Sequence, residues 1–305
     1  MKVIRLALGS ILFVALFATG SMAQTSARTF VSGAGLDTNP CSVSSPCRTF
    51  GQAISQTIPG GEVIVLTSAG YGPFTINKAV ALEAPAGVYA GITATSGNGI
   101  EISIGTTDTV ILRGLTINTQ GGIGNGISFT NGGTLHIESC TINGFIHGNG
   151  IHSQTSGYLF VKDTIARGNN VGIALLGNTG NSAVTLDHVS LDENGDGLDV
   201  FALAAGAVVQ AAIRNSSLSG NFSNGAGVAG ISGGIALLDI ESCLIVNDSV
   251  AGVDSSGGGV ASLSNCTIDD DGSAFTIETG GTIYTRQNNT MFGSTTGTLT
   301  PFTAK

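Results

Sequence analysis

The sequence has few of the side chains that charged or aromatic binding surfaces use. Among its 305 residues there is no tryptophan, there are four tyrosines, and only 10% of the residues are charged. Lys and Arg number 11 against 20 Asp and Glu, which gives a formal net charge of −9. A protein that binds nucleic acid through charge needs a basic surface. We therefore expect no nucleic-acid partner, and few aromatic platforms for sugars.

Hydrophobic residues and glycine are abundant instead. Hydrophobic residues make up 42% of the chain, and 47 residues are glycine. The hydrophobic fraction excludes an intrinsically disordered chain. The glycines, together with many Asn, Ser and Thr, indicate many turns and few helices.

The first 23 residues are typical of a secretory signal. Lys2 and Arg5 precede an apolar run over 6–17, and Ser21 and Ala23 supply the small residues of a cleavage site. Cleavage after Ala23 would leave 9 cations and 20 anions, a net charge of −11. The run is too short to cross a hydrocarbon layer of about 30 Å. We expect a secreted or periplasmic protein with no integral membrane segment once the signal is removed.

A repeat of roughly 25 residues fills most of the remaining chain. Residues 135–142, 238–245 and 261–268 share one pattern: apolar, any, apolar, two polar residues, Cys, any, apolar. If the Cys is relaxed to any small or apolar residue, the anchor positions of the repeat are Leu115, Cys140, Thr164, Val189, Ser216, Cys243 and Cys266, with a weaker copy at Asn288. Alternation of this kind, broken by a two-residue corner, predicts short strands with one buried face.

A second signal follows each anchor by eight to eleven residues. There a glycine precedes an apolar residue, which predicts a third strand, and a turn-forming cluster of Gly, Asn or Ser then closes the coil. The pairs are Gly126-Ile127, Gly150-Ile151, Gly172-Ile173, Gly197-Leu198, Gly227-Val228 and Gly252-Val253. Three strands and three corners per repeat predict an all-β, parallel β-helix solenoid, because helical repeats need longer stretches of period 3.6 without glycine.

This repeat resembles that of the right-handed parallel β-helix of the pectate-lyase-like superfamily. The opening of the chain, with residues 30–32, 46–50 and 60–66, resembles the start of many exported members. The resemblance implies a capping segment at the N-terminal end of the solenoid. We therefore divide the chain into a signal peptide (1–23), a cap segment with a short helix (24–60), β-helix coils (61–291) and a C-terminal tail (292–305).

The cap segment contains a helix signal of its own. Thr49 and Gln52 have the spacing of a capping box. A short helix would then place Phe50, Ala53, Ile54 and Ile58 on one face, where they could cover the open end of the core before Pro59 and Gly60 stop the helix.

One outward column of the repeat consists of charges of alternating sign. Two residues before successive anchors stand Arg113, Glu138, Lys162, Asp187, Arg214 and Glu241, followed by Ser264 and Arg286. Stacked coils would place neighbours in this column about 5 Å apart. We interpret the column as a device that fixes the register of the coils. The alternative interpretation is a charged groove for a polymer.

The five cysteines fall into two groups. Cys41 and Cys47 are close together in an exported chain, which predicts a disulfide. Cys140, Cys243 and Cys266 occupy anchors and should point inward as small core residues. A bridge between Cys243 and Cys266, on adjacent coils, is the less favoured alternative because parallel side chains give poor disulfide geometry.

Residues 192–199 copy the first half of a calcium-binding loop. Asp192, Asn194 and Asp196 stand at alternate positions, as oxygen ligands of calcium would, and calcium is the one cofactor that the sequence suggests. The second half of the loop is missing, because its twelfth position is Leu203 rather than Glu. The alternative is an ordinary turn, which we prefer because the other coils have an Asn/Gly corner at this point.

The sequence has no complete catalytic set of the superfamily. Galacturonan hydrolases of this fold need paired carboxylates and a cation on one face, and pectate lyases need an Arg or Lys base beside calcium-binding carboxylates. The nearest candidates here are Asp196 and Asp199 with Arg167 or Arg214. His136, His147 and His152 fall within one coil but are expected to face different directions.

These observations favour an exported β-helix without a recognisable catalytic set. Such a protein would be a surface, envelope or glycan-associated structural or binding protein, and its partner would be a polysaccharide or a cell-surface glycan. The alternative is an enzyme, a polysaccharide lyase, hydrolase or epimerase that acts in a groove along the β-helix.

Overall fold

The computed structural model describes residues 25–269 and 271–302. The predicted signal peptide lies outside the described residues. None of the helices in this described part is long and apolar enough to cross a membrane.

The described chain contains one helix and thirty strands. In chain order the first elements are β1 (Ser26–Val31), α1 (Phe50–Gln56), β2 (Thr57–Val65), β3 (Ala69–Gly70), β4 (Phe74–Ile76), β5 (Val80–Glu83), β6 (Ala90–Ala94), β7 (Ile100–Ser103), β8 (Thr109–Arg113), β9 (Leu115–Thr119), β10 (Ile127–Asn131), β11 (Thr134–Glu138), β12 (Thr141–Asn143), β13 (Asn149–Ser153), β14 (Tyr158–Arg167) and β15 (Val171–Gly177). They continue with β16 (Asn181–Asp192), β17 (Asp196–Ala202), β18 (Val208–Arg214), β19 (Ser217–Ser219), β20 (Asn224–Gly230), β21 (Ile235–Glu241), β22 (Leu244–Val246), β23 (Ala251–Gly257), β24 (Gly259–Ser264), β25 (Thr267–Asp269), β26 (Phe275–Ile277), β27 (Thr282–Thr285), β28 (Thr290–Met291), β29 (Thr295–Thr296) and β30 (Thr300–Pro301).

These strands pair in parallel and form three faces around one core. Face 1 contains β2, β5, β8, β11, β18, β21, β24 and β27 with the first halves of β14 and β16. Face 2 contains β6, β9, β12, β19, β22, β25 and β28 with the second halves of β14 and β16. Face 3 is the ten-stranded sheet of β4, β7, β10, β13, β15, β17, β20, β23, β26 and β29. The predicted parallel β-helix with a short N-terminal helix is confirmed.

The anchor column lies in the core, as predicted. Thr164 pairs directly with Val189, and all seven anchors from Leu115 to Cys266 are at most 7% exposed. A polar anchor is stabilised by backbone hydrogen bonds: the Thr164 hydroxyl accepts from the Cys140 N–H at 3.2 Å and donates to the Lys162 carbonyl at 2.9 Å.

The corner before each anchor is made by a single left-handed residue. In seven successive coils that residue has φ between 50° and 72°: Gly114, Ser139, Asp163, His188, Asn215, Ser242 and Asn265. One positive φ turns the chain from face 1 to face 2 without interrupting the stacking of the coils.

Two of the sequence assignments were out of register. The residue that pairs level with Cys266 is Asn289, not Asn288, and the side-chain Oδ1 of Asn289 accepts from the Cys266 N–H at 2.8 Å. On face 3, Ala226 stands in the column of Leu198 and Val253, so the third-strand pair in that coil is Gly225-Ala226 rather than Gly227-Val228. The first error arose because the last turn has one more residue than the preceding turn in the corner between faces 1 and 2. The second arose because Gly225-Ala226 and Gly227-Val228 both fit the pattern of a glycine before an apolar residue.

The alternating charge column is confirmed in register, and the structure adds Glu83 at its start. Glu83, Arg113 and Glu138 stand level on successive strands, and the Arg113 guanidinium contacts the carboxylates on both sides, at 3.4 Å and 2.8 Å. Arg214 binds Asp187 at 3.1 Å. A slip by one coil would place like charges together, so the column favours one register.

The cap segment differs from the prediction in its helix end. Phe50, Ala53 and Ile54 of α1 are buried, and the Thr49 hydroxyl accepts from the Gln52 N–H at 3.3 Å. Ile58 is not on the helix, which ends at Gln56; it lies in β2 and is 39% exposed. The chain turns extended at Thr57, where the hydroxyl bonds back to the Ala53 carbonyl.

The cysteines behave as predicted. Cys41 and Cys47 form a disulfide, with their Cα atoms 4.6 Å apart. Cys140, Cys243 and Cys266 are free and buried. Burial raises the pKa of the Cys140 and Cys243 thiols to about 12, so these groups stay protonated and pack as apolar side chains.

Candidate functional site

The residues that the sequence suggested for catalysis lie on different faces. Asp196 and Asp199 lie in β17 on face 3, whereas Arg167 ends β14 on face 2 and Arg214 ends β18 on face 1. Arg214 is bound to Asp187. The structure therefore does not bring these four side chains together, and their catalytic role stays a prediction.

Asn194 belongs to a buried ladder of side-chain amides between faces 2 and 3. The ladder contains Asn169, Asn194, Asn221 and Asp248, each at most 3% exposed. At each step the backbone N–H and the side-chain amide of one residue donate to Oδ1 of the next, for example from Asn169 to Asn194 at 3.0 Å for both bonds. The ladder satisfies the backbone groups that the corner leaves without strand partners.

This placement bears on the calcium hypothesis. Oδ1 of Asn194 already accepts two hydrogen bonds inside the core, while the Asp192 carboxylate accepts from Ser190 and Ser217, and Asp196 accepts from the Asn224 backbone. Within residues 25–269 and 271–302, no group of three or more His, Cys, Asp or Glu is arranged to hold a metal ion. Calcium binding by Asp192, Asn194 and Asp196 stays a prediction, and the structure gives Asn194 another task.

The glycines that open the face 3 strands lie against the next coil and against this ladder. A Cβ on Gly172 would lie 3.0 Å from Nδ2 of Asn194 and 2.6 Å from the Gly197 carbonyl oxygen. A Cβ on Gly197 would lie 3.0 Å from Nδ2 of Asn221. Gly99 and Gly126 have no amide beside them, but a Cβ there would also lie within 2.7 Å of the carbonyl oxygen of the glycine in the next coil. Close stacking of the coils therefore requires the glycine column, which also leaves room for the amides where the ladder is present.

Asp248 is the ladder member that lacks an amide. Its Oδ1 accepts from the backbone and side chain of Asn221, both at 2.8 Å. Its Oδ2 is buried and has no hydrogen-bond partner among the described residues. Burial raises the pKa of Asp248 to about 7, because the charged form loses its hydration.

Face 3 carries two further carboxylates with raised pKa values. Asp199, Gly227 and Asp254 stand level on successive strands, so the coil of Gly227 lies between the two carboxylates. Burial, with a smaller contribution from neighbouring carboxylates, raises the pKa of Asp199 to about 7 and that of Asp254 to about 6. The ten strands of this face contain no Lys or Arg. Face 3 is therefore an acidic surface without a compensating cation in its strands.

The outer surface of face 1 contains a long groove, made of three adjoining depressions. The first, about 180 Å³, is lined by Tyr158, Phe160 and Thr185 among others. The second, about 380 Å³, and the third, about 410 Å³, extend it toward the C-terminal coils. Asp239 lines all three depressions and so marks the middle of the groove.

Aromatic side chains stand at both ends of this groove. At one end Tyr158 and Phe160 are 55% and 36% exposed, and Phe160 stacks on His136 with ring centroids 4.8 Å apart. At the other end Tyr284 meets Phe302 edge to face at 6.1 Å. The column between the two ends consists of Thr185, Ala212, Asp239 and Ser262. Five coil steps at about 4.8 Å separate Phe160 from Tyr284, a span of about 24 Å.

Sequence reasoning found one wall of this groove and missed the other. The charge column, whose alternative interpretation was a charged groove for a polymer, lines the second depression through Arg214, Glu241, Ser264 and Arg286. The neighbouring column from Phe160 to Tyr284 shares no residue type, so no pattern in the sequence predicted it. A signal was present nonetheless. Phe160 and Tyr284 stand at the same position of the repeat, in the outward column that lies between the buried column of Val161 and the buried column of Ile283.

The sequence matches no family model and no curated protein. Two solved structures are similar in fold. The chain is 15% identical to pectate lyase Pel9A over 92% of this chain and 79% of that one, with a TM-score of 0.57. It is 11% identical to the GH136 lacto-N-biosidase from Eubacterium ramulus over 90% of this chain and 68% of that one, with a TM-score of 0.54. At these identities the likeness shows the fold, a right-handed parallel β-helix of the pectate-lyase-like type.

Proposed function

We propose that this right-handed parallel β-helix is an exported glycan-binding protein that holds a polysaccharide lengthwise in the groove on face 1. The observation that carries the proposal is the pair of aromatic ends, Phe160 with Tyr158 and Tyr284 with Phe302, on either side of a column of hydroxyl and carboxylate groups. Aromatic faces pack against the apolar faces of sugar rings, and the polar groups between them can bond sugar hydroxyls.

The geometry favours an extended chain over a small ligand. The groove is open along the solenoid axis and about 24 Å separates its aromatic ends, so a polymer can enter and leave at both ends. Both similar structures are, by their names, enzymes of carbohydrates, a pectate lyase and a lacto-N-biosidase, which agrees with a glycan partner.

Replacement of the aromatic ends should weaken glycan binding. We expect Phe160→Ala and Tyr284→Ala each to reduce the association constant for a bound polysaccharide by about 2- to 12-fold, since one aromatic contact contributes about 0.5–1.5 kcal/mol. The measurement is affinity electrophoresis of the purified protein in gels that contain individual soluble polysaccharides.

The matched control is Phe222→Ala. Phe222 is 76% exposed and lies at the corner between faces 2 and 3, away from the groove. The Phe222→Ala variant should bind the polysaccharide as tightly as the wild type. Equal losses in all three variants, or no retardation of the wild type by any polysaccharide, would contradict binding in this groove.

A second candidate function is hydrolysis on face 3, with Asp199 as the general acid. Its pKa of about 7 keeps much of the group protonated near neutrality, as an acid that protonates a leaving sugar requires. Asp254, two coil steps of about 4.8 Å away, would be the second carboxylate.

If this candidate is right, the protein releases reducing sugar from a polysaccharide, and the rate falls as the pH rises through about 7, where Asp199 loses its proton. Asp199→Asn should then lower the rate at least 100-fold. The control is Asp163→Asn, at an exposed left-handed corner that Asn also tolerates. Equal rates in both variants would rule out Asp199 as the acid.

A further inference from the structure

The charges that line the groove on face 1 point to the class of glycan, given the proposed function on which this inference rests. Asp239 lies in the middle of the groove, between the aromatic ends. The Ser262 hydroxyl donates to its Oδ1, while Oδ2 has no hydrogen-bond partner within residues 25–269 and 271–302. An exposed carboxylate with a free oxygen accepts hydrogen bonds from two neighbouring hydroxyls of one sugar.

The two cations of the groove are engaged by other groups. Arg214 binds Asp187, at 3.1 Å, and the Arg286 guanidinium lies 5.5 Å from the centre of the Phe302 ring. With Asp187 included, the groove carries three carboxylates, Asp187, Asp239 and Glu241, against these two guanidiniums. A polyuronate would bring one more negative charge on every sugar, and at least one of those charges would meet Asp239.

We propose that the groove selects an uncharged glycan over a polyuronate, and that Asp239 is the residue that determines this selectivity. Asp239 attracts a sugar by accepting its hydroxyl protons and repels the same sugar when a carboxylate replaces one of those hydroxyls. The selectivity thus differs from what the name of the similar pectate lyase would suggest.

The experiment compares one polymer in two charge states. Each neutral polysaccharide that retards the protein, for example a soluble β-glucan, xylan or galactomannan, is tested again after its primary hydroxyls have been oxidised to carboxylates where it has them, with polygalacturonate as a further acidic polymer. We expect the wild type to bind the neutral form at least tenfold more tightly than the acidic form at low ionic strength.

The variant Asp239→Asn removes the charge and keeps the shape of the side chain. It should bind the neutral polymer more weakly than the wild type and discriminate less than threefold between the two charge states. Glu278→Gln, an equal change of net charge outside the groove, should keep the wild-type ratio.

Two results would overturn the inference while leaving groove binding intact. In the first, the wild type binds the acidic polymer as tightly as the neutral polymer, and Phe160→Ala weakens the binding of the acidic polymer. The second is a neutral-to-acidic ratio that Asp239→Asn leaves unchanged. If no polymer binds at all, or if Phe160→Ala and Tyr284→Ala bind like the wild type, the proposed function itself fails and the inference falls with it.

Discussion

Asp248→Asn should stabilise the protein at pH 8 by up to about 3–4 kcal/mol and leave its stability at pH 4 almost unchanged. Asp248 is 1% exposed, and its Oδ2 is buried where its ladder neighbours carry an amide Nδ2. In Asn194 that amide donates to the Ala166 carbonyl of the preceding coil. An Asn at position 248 can donate in the same way to Leu218, which occupies the equivalent position one coil before.

The sign of the pH dependence follows from the raised pKa. The pKa of Asp248 is about 7 in the folded protein against an ordinary value of 3.8. A carboxyl group with a raised folded pKa stabilises the fold fully below its unfolded pKa and loses that contribution as the pH rises through the folded pKa. Between about pH 4 and pH 7 the wild type should therefore lose stability that the Asn variant keeps.

The measurement is the free energy of unfolding by urea at pH 4, 6 and 8 for both proteins. Asp187→Asn is a control of opposite sign: hydrogen bonds from Asn215 and Arg214 lower the pKa of Asp187 to about 2, so this variant should be less stable than the wild type at pH 7 and the deficit should shrink as the pH falls. A gain in Asp248→Asn that is equal at pH 4 and pH 8 would show that Asp248 is not a titrating group in the core.

The core and the register could be predicted from the sequence because they depend on residue type at a fixed step. The anchors from Leu115 to Cys266 recur every 23 to 27 residues, and the column of Arg113, Glu138 and Lys162 alternates in sign, so both are visible as patterns in the sequence. Stacking turns such a pattern directly into neighbours in space. The structure confirms Thr164 beside Val189 and Glu138 beside Lys162.

The amide ladder was missed although its signal was present. Asn169, Asn194, Asn221 and Asp248 each follow an anchor by five residues, and they repeat with the same steps of 25, 27 and 27 as those anchors. Asn next to Gly is typical of an exposed turn, so these positions were interpreted as ordinary corners rather than as a buried column. The side chains of the ladder point inward because a left-handed residue stands just before each of them, as at Gly168, Glu193 and Asn247. That backbone conformation cannot be read from the sequence.

Only the charged wall of the groove on face 1 had a signal in the sequence, and the rest of the groove could not be predicted for a different reason. Its shape depends on which outward side chains are small, as Ala212 is, and which are aromatic, as Phe160 is, rather than on any conserved spacing of one residue type. Asp196 and Asp199 were selected as neighbouring carboxylates that could work with Arg167 or Arg214, yet the property that distinguishes Asp199 is its desolvation on face 3. Desolvation is a property of the packed surface and has no counterpart in the letters alone.

Asn194→Ala should lower the free energy of unfolding by about 3–5 kcal/mol, which is the largest loss that we expect from one side chain outside the apolar core. Oδ1 of Asn194 accepts from the N–H and Nδ2 of Asn169, and its Nδ2 donates to the Ala166 carbonyl and to Asn221. The Ala variant removes the acceptor of both the Asn169 N–H and the Asn169 side-chain amide in a buried place. Each buried group that loses its partner costs about 1–3 kcal/mol.

The measurement for this variant is again urea unfolding, in buffer with a chelator and in buffer with calcium. Asn170→Ala is the matched control, since Asn170 is the exposed neighbour of a ladder residue and the change there should stay within about 0.5 kcal/mol. The ladder predicts the same loss for Asn194→Ala with and without calcium, because the bonds that are broken are internal to the coil. A loss that appears only when calcium is present would mean instead that Asn194 acts as a ligand, with Asp192 and Asp196, and would revive the calcium loop that the sequence suggested.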